Sequence, residues 1–264
     1  MDKLLEERAA VDTLPAVELI GVGHIYGDGK AGVKALRDIN ISVKQNEFVV
    51  VIGPSGCGKS TMLFIIAGLI QPSTGSVFHL GESITGWGRE RGLVFQADAV
   101  FPWLTVYQNI EFGPKINGVP KAERDAIVHR YIDLVELGGF EHRWPKELSG
   151  GMRKRVDLAR TYANDPDVLL LDEPFGSLDM QTKERMQIQL LHLWDRYRKT
   201  AIMITHDVEE AIFLADRVMV MTERPGTIHQ VVNISFKRPR EADLKVSKEF
   251  GKLRIELTRS LEGK

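Results

Sequence analysis

One stretch decides the fold of this chain: Gly53-Pro54-Ser55-Gly56-Cys57-Gly58-Lys59-Ser60. An apolar run at 48–52 precedes it, and residues 61–67 follow it with the apolar spacing of a helix. Strand, glycine-rich loop and helix start therefore follow one another, which is the context that the pattern G-x-x-x-x-G-K-S/T requires. Backbone N–H groups of such a loop ring a phosphate, and the helix N-terminus adds partial positive charge. The stretch predicts a phosphate-binding loop in an α/β fold.

The residue types within this loop suit a nucleotide bound with Mg²⁺. Its three glycines allow backbone angles that a Cβ would forbid. Lys59 supplies a mobile positive charge for the β- and γ-phosphates, and the Ser60 hydroxyl is placed to bind Mg²⁺. Thr61, the next residue, joins the predicted nucleotide-binding set. We interpret Cys57 as a small residue without a chemical role, although its alkylation should block the nucleotide.

Length and composition limit the classes of protein. The 264 residues suffice for one large α/β domain or two small ones, and 43% of them are hydrophobic. The net charge is −1 and no basic block occurs, which argues against a nucleic-acid partner. A single cysteine excludes an internal disulfide and fits a reducing compartment. No apolar stretch approaches the ~20 residues of a membrane span, and residues 1–8 are too charged for a secretory signal. We therefore expect a soluble chain that reaches a membrane only through a partner.

Apolar runs predict a mainly parallel sheet, with an antiparallel strand region before it. Uninterrupted apolar runs indicate strands buried on both faces, whereas alternating runs indicate half-exposed strands. Residues 97–164 have mostly helical patterns and interrupt the alternation of strands and helices, so we expect an inserted helical subdomain there. Strands are expected at 17–22, 36–43, 48–52, 76–80, 92–96, 168–171, 201–205 and 218–221.

Additional segments are predicted at the two ends of a single domain. Residues 1–16 form a charged extension, and 17–264 form a single domain with a helical tail at about 240–264. Residues 27–29 are predicted to form a turn. The tail is expected to pack on the core through one apolar stripe, made of Val246, Phe250, Leu253, Leu257 and Leu261.

Polar residues follow three predicted core strands. Ligands of doubly wound sheets bind at the carboxyl ends of strands, and three such ends carry the phosphate-binding loop, the pair Asp172-Glu173 and His206. Asp172 follows four apolar residues and is placed to support Mg²⁺. Glu173 is placed to take a proton from a water that attacks the γ-phosphate. Gln96 ends a further strand.

A second anion-binding helix end is predicted at Leu148-Ser149-Gly150-Gly151-Met152. Ser149 is a natural N-cap, and the two glycines expose N–H groups at the start of the helix that follows. One phosphate tail does not need two such helix ends from the same subunit. The economical explanation is that this end faces the nucleotide of a second copy of the chain.

Six motifs in this order resemble those of the ATP-binding-cassette (ABC) ATPase subunits of transporters, over about residues 17–222. The resemblance implies a P-loop NTPase core with a mainly parallel sheet, an N-terminal antiparallel β subdomain and an inserted helical subdomain. It also implies ATP and Mg²⁺ as cofactors, and two subunits that close head to tail on two ATP molecules. The motifs are the P-loop at 53–60, Gln96, the signature at 148–152, the Walker B strand with its glutamate at 168–173, the S-L-D loop at 177–179 and His206.

The resemblance further implies a role for each matching residue. For catalysis it implies Glu173 as general base, His206 as a contact to the γ-phosphate, and Lys59 as a phosphate ligand. Gln96 touches the metal and senses the membrane partner. The implied metal set is Ser60, Gln96 and Asp172.

Other implied contacts lie at the nucleotide base and at the seam between two subunits. Tyr26 matches the aromatic residue that stacks on adenine. Met152 stands where the family usually has glutamine, which puts that side chain's own contacts in doubt. The residues implied to reach the nucleotide across the seam, or to lie along it, are Ser149, Gly150, Gly151 and Asp179.

Residues 101–106 form an aromatic cluster after Gln96, suited to line a groove for a membrane subunit or to pack within the helical subdomain. Together with 92–96, 148–155 and 223–226, this cluster resembles the branch that imports nitrate, sulfonates and taurine. That branch implies separate permease subunits, an extracytoplasmic substrate-binding protein and a peripheral place at the cytoplasmic face of the inner membrane. It also implies a second ATPase subunit, which we expect to be an identical copy. An ABC exporter or lipid-transporter ATPase, or a non-transport ABC ATPase, remains the alternative.

Overall fold

The computed structural model describes residues 14–27 and 32–262. Most of the expected extension at 1–16, and most of the expected turn at 27–29, lie outside these residues. Among the described residues, the helices are too short or too polar to cross a bilayer.

Ten strands and seven α-helices make up the described part of the chain. The strands are β1 (Val17–Tyr26), β2 (Val33–Val43), β3 (Phe48–Ile52), β4 (Thr74–His79), β5 (Glu82–Ser83), β6 (Arg91–Val94), β7 (Val168–Asp172), β8 (Thr200–Thr205), β9 (Arg217–Met221) and β10 (Ile228–Asn233). The helices are α1 (Lys59–Ile66), α2 (Val106–Ile116), α3 (Lys121–Leu134), α4 (Gly150–Ala163), α5 (Met180–Tyr197), α6 (Val208–Leu214) and α7 (Lys248–Leu261).

The core is a six-stranded sheet in the order β10-β9-β3-β8-β7-β6. All neighbours pair in parallel except β10, which is antiparallel to β9. Every residue of β3, β7 and β8 is buried, as expected for parallel strands covered on both faces. Ile52 pairs with Thr205, and Asp172 pairs with Ile204, so the carboxyl ends of these three strands lie side by side. The predicted phosphate-binding loop and the predicted carboxylates thus meet at one edge of the sheet.

A second, antiparallel sheet has the order β2-β1-β4-β5. It is tied to the core sheet by backbone hydrogen bonds at Gly226, whose N–H donates to the carbonyl of Ala35 (2.9 Å) and whose carbonyl accepts from Arg37 N–H (3.0 Å). The predicted combination of a mainly parallel core and an antiparallel sheet from the N-terminal part of the chain is confirmed.

Helices α2, α3 and α4 lie between β6 and β7, in the segment where the sequence predicts helices. The start of α2 is fixed by a capping box, in which Thr105 and Gln108 each bond the other's backbone N–H. Apolar residues of all three helices belong to the main buried core, among them Ile110, Ile132 and Val156. These contacts hold the segment firmly against the end of the core sheet.

Strand β10 is not among the strands expected from the sequence. It forms the edge of the core sheet, and its side chains alternate between half-buried and exposed. Its sequence, Ile-His-Gln-Val-Val-Asn, is short and mixed in polarity. Edge strands with one wet face carry a weaker apolar signal than buried ones, which explains the omission.

The predicted apolar stripe of the C-terminal helix is wrong in one residue. Val246 lies in a 3-10 turn before α7 and is 88% exposed. Ser247 caps the helix by accepting from the N–H of Phe250, so the helix begins after Val246. Phe250 and Leu257 are buried as predicted, while Leu253 and Leu261 pack half-buried on the core. The four-residue spacing from Val246 to Phe250 extended the predicted stripe to a residue that lies before the start of the helix.

Candidate functional site

The loop at 53–60 surrounds the buried side chain of Lys59. Its Nζ donates hydrogen bonds to the carbonyls of Gly53 (2.8 Å) and Pro54 (3.0 Å), which are acceptors of the loop itself. Gly58 has φ 108°, and a Cβ there would lie 2.7 Å from Leu36 and 2.8 Å from the carbonyl of Ala35. The loop can therefore take its shape only with glycine at this position. An ammonium group held by neutral carbonyls is free to exchange them for a phosphate, which binds it more strongly.

Ser60 and Asp172 bring two oxygen ligands together. The Ser60 hydroxyl donates to Oδ1 of Asp172 at 3.2 Å. Burial raises the pKa of Asp172, as does the charge of Glu173, whereas the Ser60 hydrogen bond and the charges of Lys59 and Lys154 lower it. A hydroxyl beside a buried carboxylate is a donor set that Mg²⁺ prefers, and a cation would relieve the cost of burying the charge. The residues present therefore fit this metal.

Gln96 and His206 both reach the carboxylate of Glu173. Gln96 Nε2 donates to Glu173 Oε2 at 3.3 Å, and His206 Nδ1 donates to the same oxygen at 3.1 Å. Glu173 has φ 40°, a left-handed conformation that costs a side chain on the order of 1–3 kcal/mol. Its N–H is bonded to the carbonyl of Ile204 at 3.0 Å, which holds the backbone in place. Two residues predicted to be catalytic, Gln96 and His206, thus converge on one oxygen atom of a third, Glu173.

Tyr26 lies beside the loop, and Cys57 is one of its residues. Tyr26 ends β1 with its ring exposed, and its hydroxyl lies 3.1 Å from that of Thr61 at the start of α1. The ring makes a T-shaped contact with His24, with centroids 4.5 Å apart, and is 44% exposed. Cys57 is 1% exposed, and burial raises the pKa of its thiol although the charge of Lys59 lowers it. A buried, protonated thiol agrees with a packing role and would be a slow target for alkylation.

The predicted seam residues gather at the starts of two helices. Ser149 caps α4 by accepting from Met152 N–H (3.3 Å), and Asp179 caps α5 by accepting from Thr182 N–H (3.1 Å). A Cβ on Gly151 would lie 2.6 Å from the Thr182 methyl group, so the two helix starts touch. Among the described residues, Ser149, Gly151 and Asp179 make no hydrogen bond to the loop at 53–60. The structure brings these residues to one another but not to Lys59.

An aromatic groove of about 490 Å³ opens beside the Gln96 segment, lined among others by Trp87, Phe95, Phe101, Phe112 and Ile116. Phe101 stacks obliquely with Phe112 and with Trp103, and Trp103 is 66% exposed. Phe101 packs on Phe112 of α2, as expected for packing within the helical subdomain, and it also lines the open groove. That the groove receives a membrane subunit stays a prediction.

Lys183 is a residue near the site that the sequence did not indicate. Its Nζ pairs with Asp207 (2.7 Å) and with Glu210 (2.6 Å), directly behind His206. Glu210 is buried and also accepts from the Thr205 hydroxyl at 2.6 Å. A lysine in the first turns of a predicted helix carries no signal of such a contact.

Comparison with known proteins identifies the family of this chain. The family model described as "ABC transporter" matches residues 36–176, which is more than half of the chain. The chain belongs to the ABC transporter family. As an ABC ATPase it binds and hydrolyses ATP, and the P-loop NTPase fold expected from the sequence is confirmed.

Curated relatives of this ABC ATPase match it over most of their length. The nitrate import ATP-binding protein NrtD of Synechocystis sp. is 44% identical over 254 residues, covering 94% of this chain and 96% of that protein. The taurine import ATP-binding protein TauB of Roseobacter denitrificans is 47% identical over 218 residues, covering 83% and 80%. An uncharacterized ABC transporter ATP-binding protein of Methanocaldococcus jannaschii is 50% identical over 209 residues, covering 79% and 78%.

Solved structures give the same result for the fold of this ABC ATPase. A dimeric ATP-binding cassette in a post-hydrolysis state, bound to ADP and Pi, is similar with a TM-score of 0.73 and 31% identity, over 84% of this chain and all of that one. A dimeric bacterial ABC transporter cassette has a TM-score of 0.74 at the same identity and coverage.

Proposed function

We propose that this ABC ATPase uses ATP hydrolysis to drive import of a small solute, of the nitrate, sulfonate or taurine kind, through separate membrane permease subunits. The proposal takes its reaction from the convergence of Gln96 and His206 on Glu173 Oε2. The proposed direction of transport and the proposed class of solute come from the relatives, two of which are named for nitrate import and taurine import. An extracytoplasmic substrate-binding protein would deliver the solute to the permease.

In the proposed reaction, the chain holds ATP and places one proton acceptor. Lys59 leaves the carbonyls of Gly53 and Pro54 to bind the β- and γ-phosphates, and the remaining N–H groups of the loop surround them. When bound, Mg²⁺ neutralises charge on these phosphates. Ser60, Asp172 and Gln96 are its ligands in this proposal.

The general base of this reaction is Glu173. Its Oε2 takes a proton from the attacking water, since the carboxylate is oriented there by hydrogen bonds from Gln96 and His206. His206 is exposed, so its ring is free to turn toward the γ-phosphate while Glu173 stays fixed by its backbone. Tyr26, whose ring is partly exposed, would stack on the adenine.

A second ATPase subunit, which we propose to be an identical copy, completes each site. Ser149, Gly150 and Gly151 would offer the N-terminal amides of α4 to the γ-phosphate bound by the partner subunit, with Asp179 beside the same seam. Ser149 and Asp179 are exposed and Gly150 is half-buried, while Gly151 is buried beside Thr182. The absence of hydrogen bonds from these described residues to the chain's own P-loop supports the proposal. The aromatic groove would receive a helix of the permease, which gives the chain a peripheral place at the cytoplasmic face of the inner membrane.

We also propose a division of the chain that follows this assembly. Residues 17–264 form one ATPase domain, in which about 97–164 are the helical subdomain and about 240–264 a helical tail. The residues before 17 form an extension. In this division the signature helix α4 belongs to the subdomain and the P-loop to the core, while residues of both line the aromatic groove.

Replacing Glu173 by glutamine tests the proposed reaction. Glu173→Gln keeps the shape of the side chain but removes the proton acceptor, so turnover should fall by roughly 100-fold or more. ATP affinity should stay within about twofold, and the variant should accumulate as an ATP-bound dimer in size-exclusion chromatography. Glu136→Gln, at an exposed surface glutamate, is the matched control. Turnover equal to that of the wild type would remove Glu173 from the role of base.

Purification of the tagged chain from its own membranes tests the transport class. Recovery of a permease together with a substrate-binding protein supports the importer, whereas a permease alone points to an exporter. Ribosomes or nucleic acid in the purified material would point to a non-transport ABC ATPase.

A further inference from the structure

Lys154 is a buried cation that the proposed reaction leaves unexplained. It lies one turn into α4, is 1% exposed, and points its Nζ at the segment that carries Gln96. Nζ donates to the carbonyl of Phe95 at 2.8 Å and to that of Gln96 at 3.3 Å. The two peptide groups that flank Gln96 are thus held by one side chain of a different element.

Two further cations of α4 hold the rest of the same segment. Arg153 Nε donates to the carboxylate of Asp98 at 2.6 Å, and Arg160 donates to the carbonyl of Ala99 at 2.7 Å. Arg160 also pairs with the buried carboxylate of Asp157 at 2.7 Å. Residues 95–99 follow β6 as an irregular segment without a strand partner. Their position is therefore set largely by side chains from α4.

The charge on Lys154 is supported by carboxylates on several sides. Burial lowers the pKa of Lys154, while Asp157, Asp98 and Asp172 act in the opposite direction. Burial likewise raises the pKa of Asp157, against the charges of Arg160 and Lys154. A buried charge needs compensating partners. Lys154 has hydrogen bonds to two carbonyls, and the charges of three carboxylates favour its ionised form.

We propose that Lys154 is a positioning residue for ATP hydrolysis, which fixes the backbone of Gln96 so that its amide reaches Glu173. The proposal rests on the proposed function, in which Gln96 and Glu173 act at the bound ATP. Because α4 begins at the cap Ser149, the same helix presents its first turn to the partner's nucleotide and its second turn to Gln96 of its own site. Lys154 therefore links the two composite sites within one subunit.

The test compares Lys154→Met with the wild type in the purified full-length ATPase. Methionine keeps most of the unbranched apolar part of the lysine side chain and removes the hydrogen-bond donors, while Asp157 stays paired with Arg160. We expect kcat to fall roughly 10- to 100-fold, the cost of a misplaced catalytic group, with the dissociation constant of a fluorescent ATP analogue changed less than about twofold. Lys154→Arg, which keeps charge and donors, should recover most of the lost kcat. Arg155→Met is the control, because that neighbouring side chain bonds Val135 and Glu136 instead.

A double-mutant cycle with Gln96→Ala separates positioning from general damage. In the Gln96→Ala background, Lys154→Met should lower kcat by less than about twofold, because the group it positions is gone. A full additional loss there, or an equal loss in Arg155→Met, would overturn the proposal. If Lys154→Met does not fold, Lys154→Gln, too short to reach both carbonyls, enters the same cycle. Should Glu173→Gln or Gln96→Ala alone leave kcat unchanged, the proposed function fails instead, and the two failures are distinct.

Discussion

At the scale of single residues, Lys59 shows how the site is prepared before a nucleotide binds. Its ammonium is held by two carbonyls of its own loop, so the side chain is buried and pointed inward. A charge that is already desolvated and oriented loses less entropy on binding than a free surface lysine does. The loop therefore presents a charged ligand that needs only to exchange partners.

Lys59→Ala should weaken ATP binding itself rather than the chemical step. Charged hydrogen bonds contribute about 1.5–3 kcal/mol, which corresponds to roughly a ten- to hundredfold rise in the dissociation constant. Titration with a fluorescent ATP analogue measures it, and Lys252→Ala on the exposed face of α7 serves as the control. An unaltered affinity in Lys59→Ala would contradict the assignment of the loop.

The sequence indicated which polar residues follow the core strands, but it did not indicate their conformations. Asp172 and His206 were predicted because uninterrupted apolar strands end at them, and the ends of parallel strands meet. Their roles in the site stay predictions. The left-handed backbone of Glu173 and the buried contact of Lys154 left no such pattern. Both depend on atoms from elements far along the chain, the carbonyls of Ile204 and of Phe95, which no local rule reports.

At the scale of elements, Lys183 joins α5 to α6 behind His206. Lys183→Met would leave the buried carboxylate of Glu210 without its cation, so we expect the free energy of unfolding to fall by about 2 kcal/mol. Denaturant titration measures this loss. Lys199→Met is the matched control, because its partner Asp165 is largely exposed and should cost under about 1 kcal/mol. Equal losses in the two variants would contradict the structural importance of the Lys183 cluster.

The stabilisation by Lys183 should depend on pH in a defined direction. Burial acts to raise the pKa of Asp207, but the hydrogen bond and charge of Lys183 and two helix amides lower it on balance. Burial acts to lower the pKa of Lys183, but Asp207 and Glu210 raise it on balance. A lowered carboxyl pKa gives stability that is complete above the ordinary value of about 3.9 and lost as the pH falls through the folded-state value. A raised lysine pKa gives stability that is complete below about 10.4 and lost as the pH rises through its folded-state value.

The free-energy difference between wild type and Lys183→Met should therefore be constant from about pH 6 to 9 and shrink in acid. Denaturant titrations of both proteins from about pH 9 down into the acid range below pH 6 check the prediction. A difference that grows as the pH falls would mean that the pairing does not favour the ionised carboxylate.

Elements buried on both faces were predicted well, and elements at the edge were not. Strand β10 and the beginning of α7 are both partly exposed to solvent. Turns and helix caps therefore determine their residue types more than burial in the core does. Ser247 decides where α7 begins, and a periodic count of apolar residues does not register a cap. The pattern is informative where the hydrophobic effect dominates and weaker where a single hydrogen bond decides.

At the scale of the whole molecule, the proposed sites need two chains. A mixture of Lys59→Ala and Ser149→Ala subunits forms mixed dimers with one pocket that carries both substitutions and one that carries neither. Each variant alone should be nearly inactive, and mixing should restore ATP turnover well above both, up to about a quarter of the wild-type rate if pockets act independently and pairing is statistical. Turnover that stays at the average of the two variants would contradict sites shared between subunits.

Gly226 lies about 170 positions after the P-loop, yet a Cβ there would fall 2.2 Å from the carbonyl of Cys57. Its backbone also clasps β2, so neither side has room to yield. A single added methyl group would clash with the backbone of the P-loop and displace it. In a genetic selection for lost nucleotide affinity, this remote glycine would surface beside the P-loop residues, although it never meets the ligand.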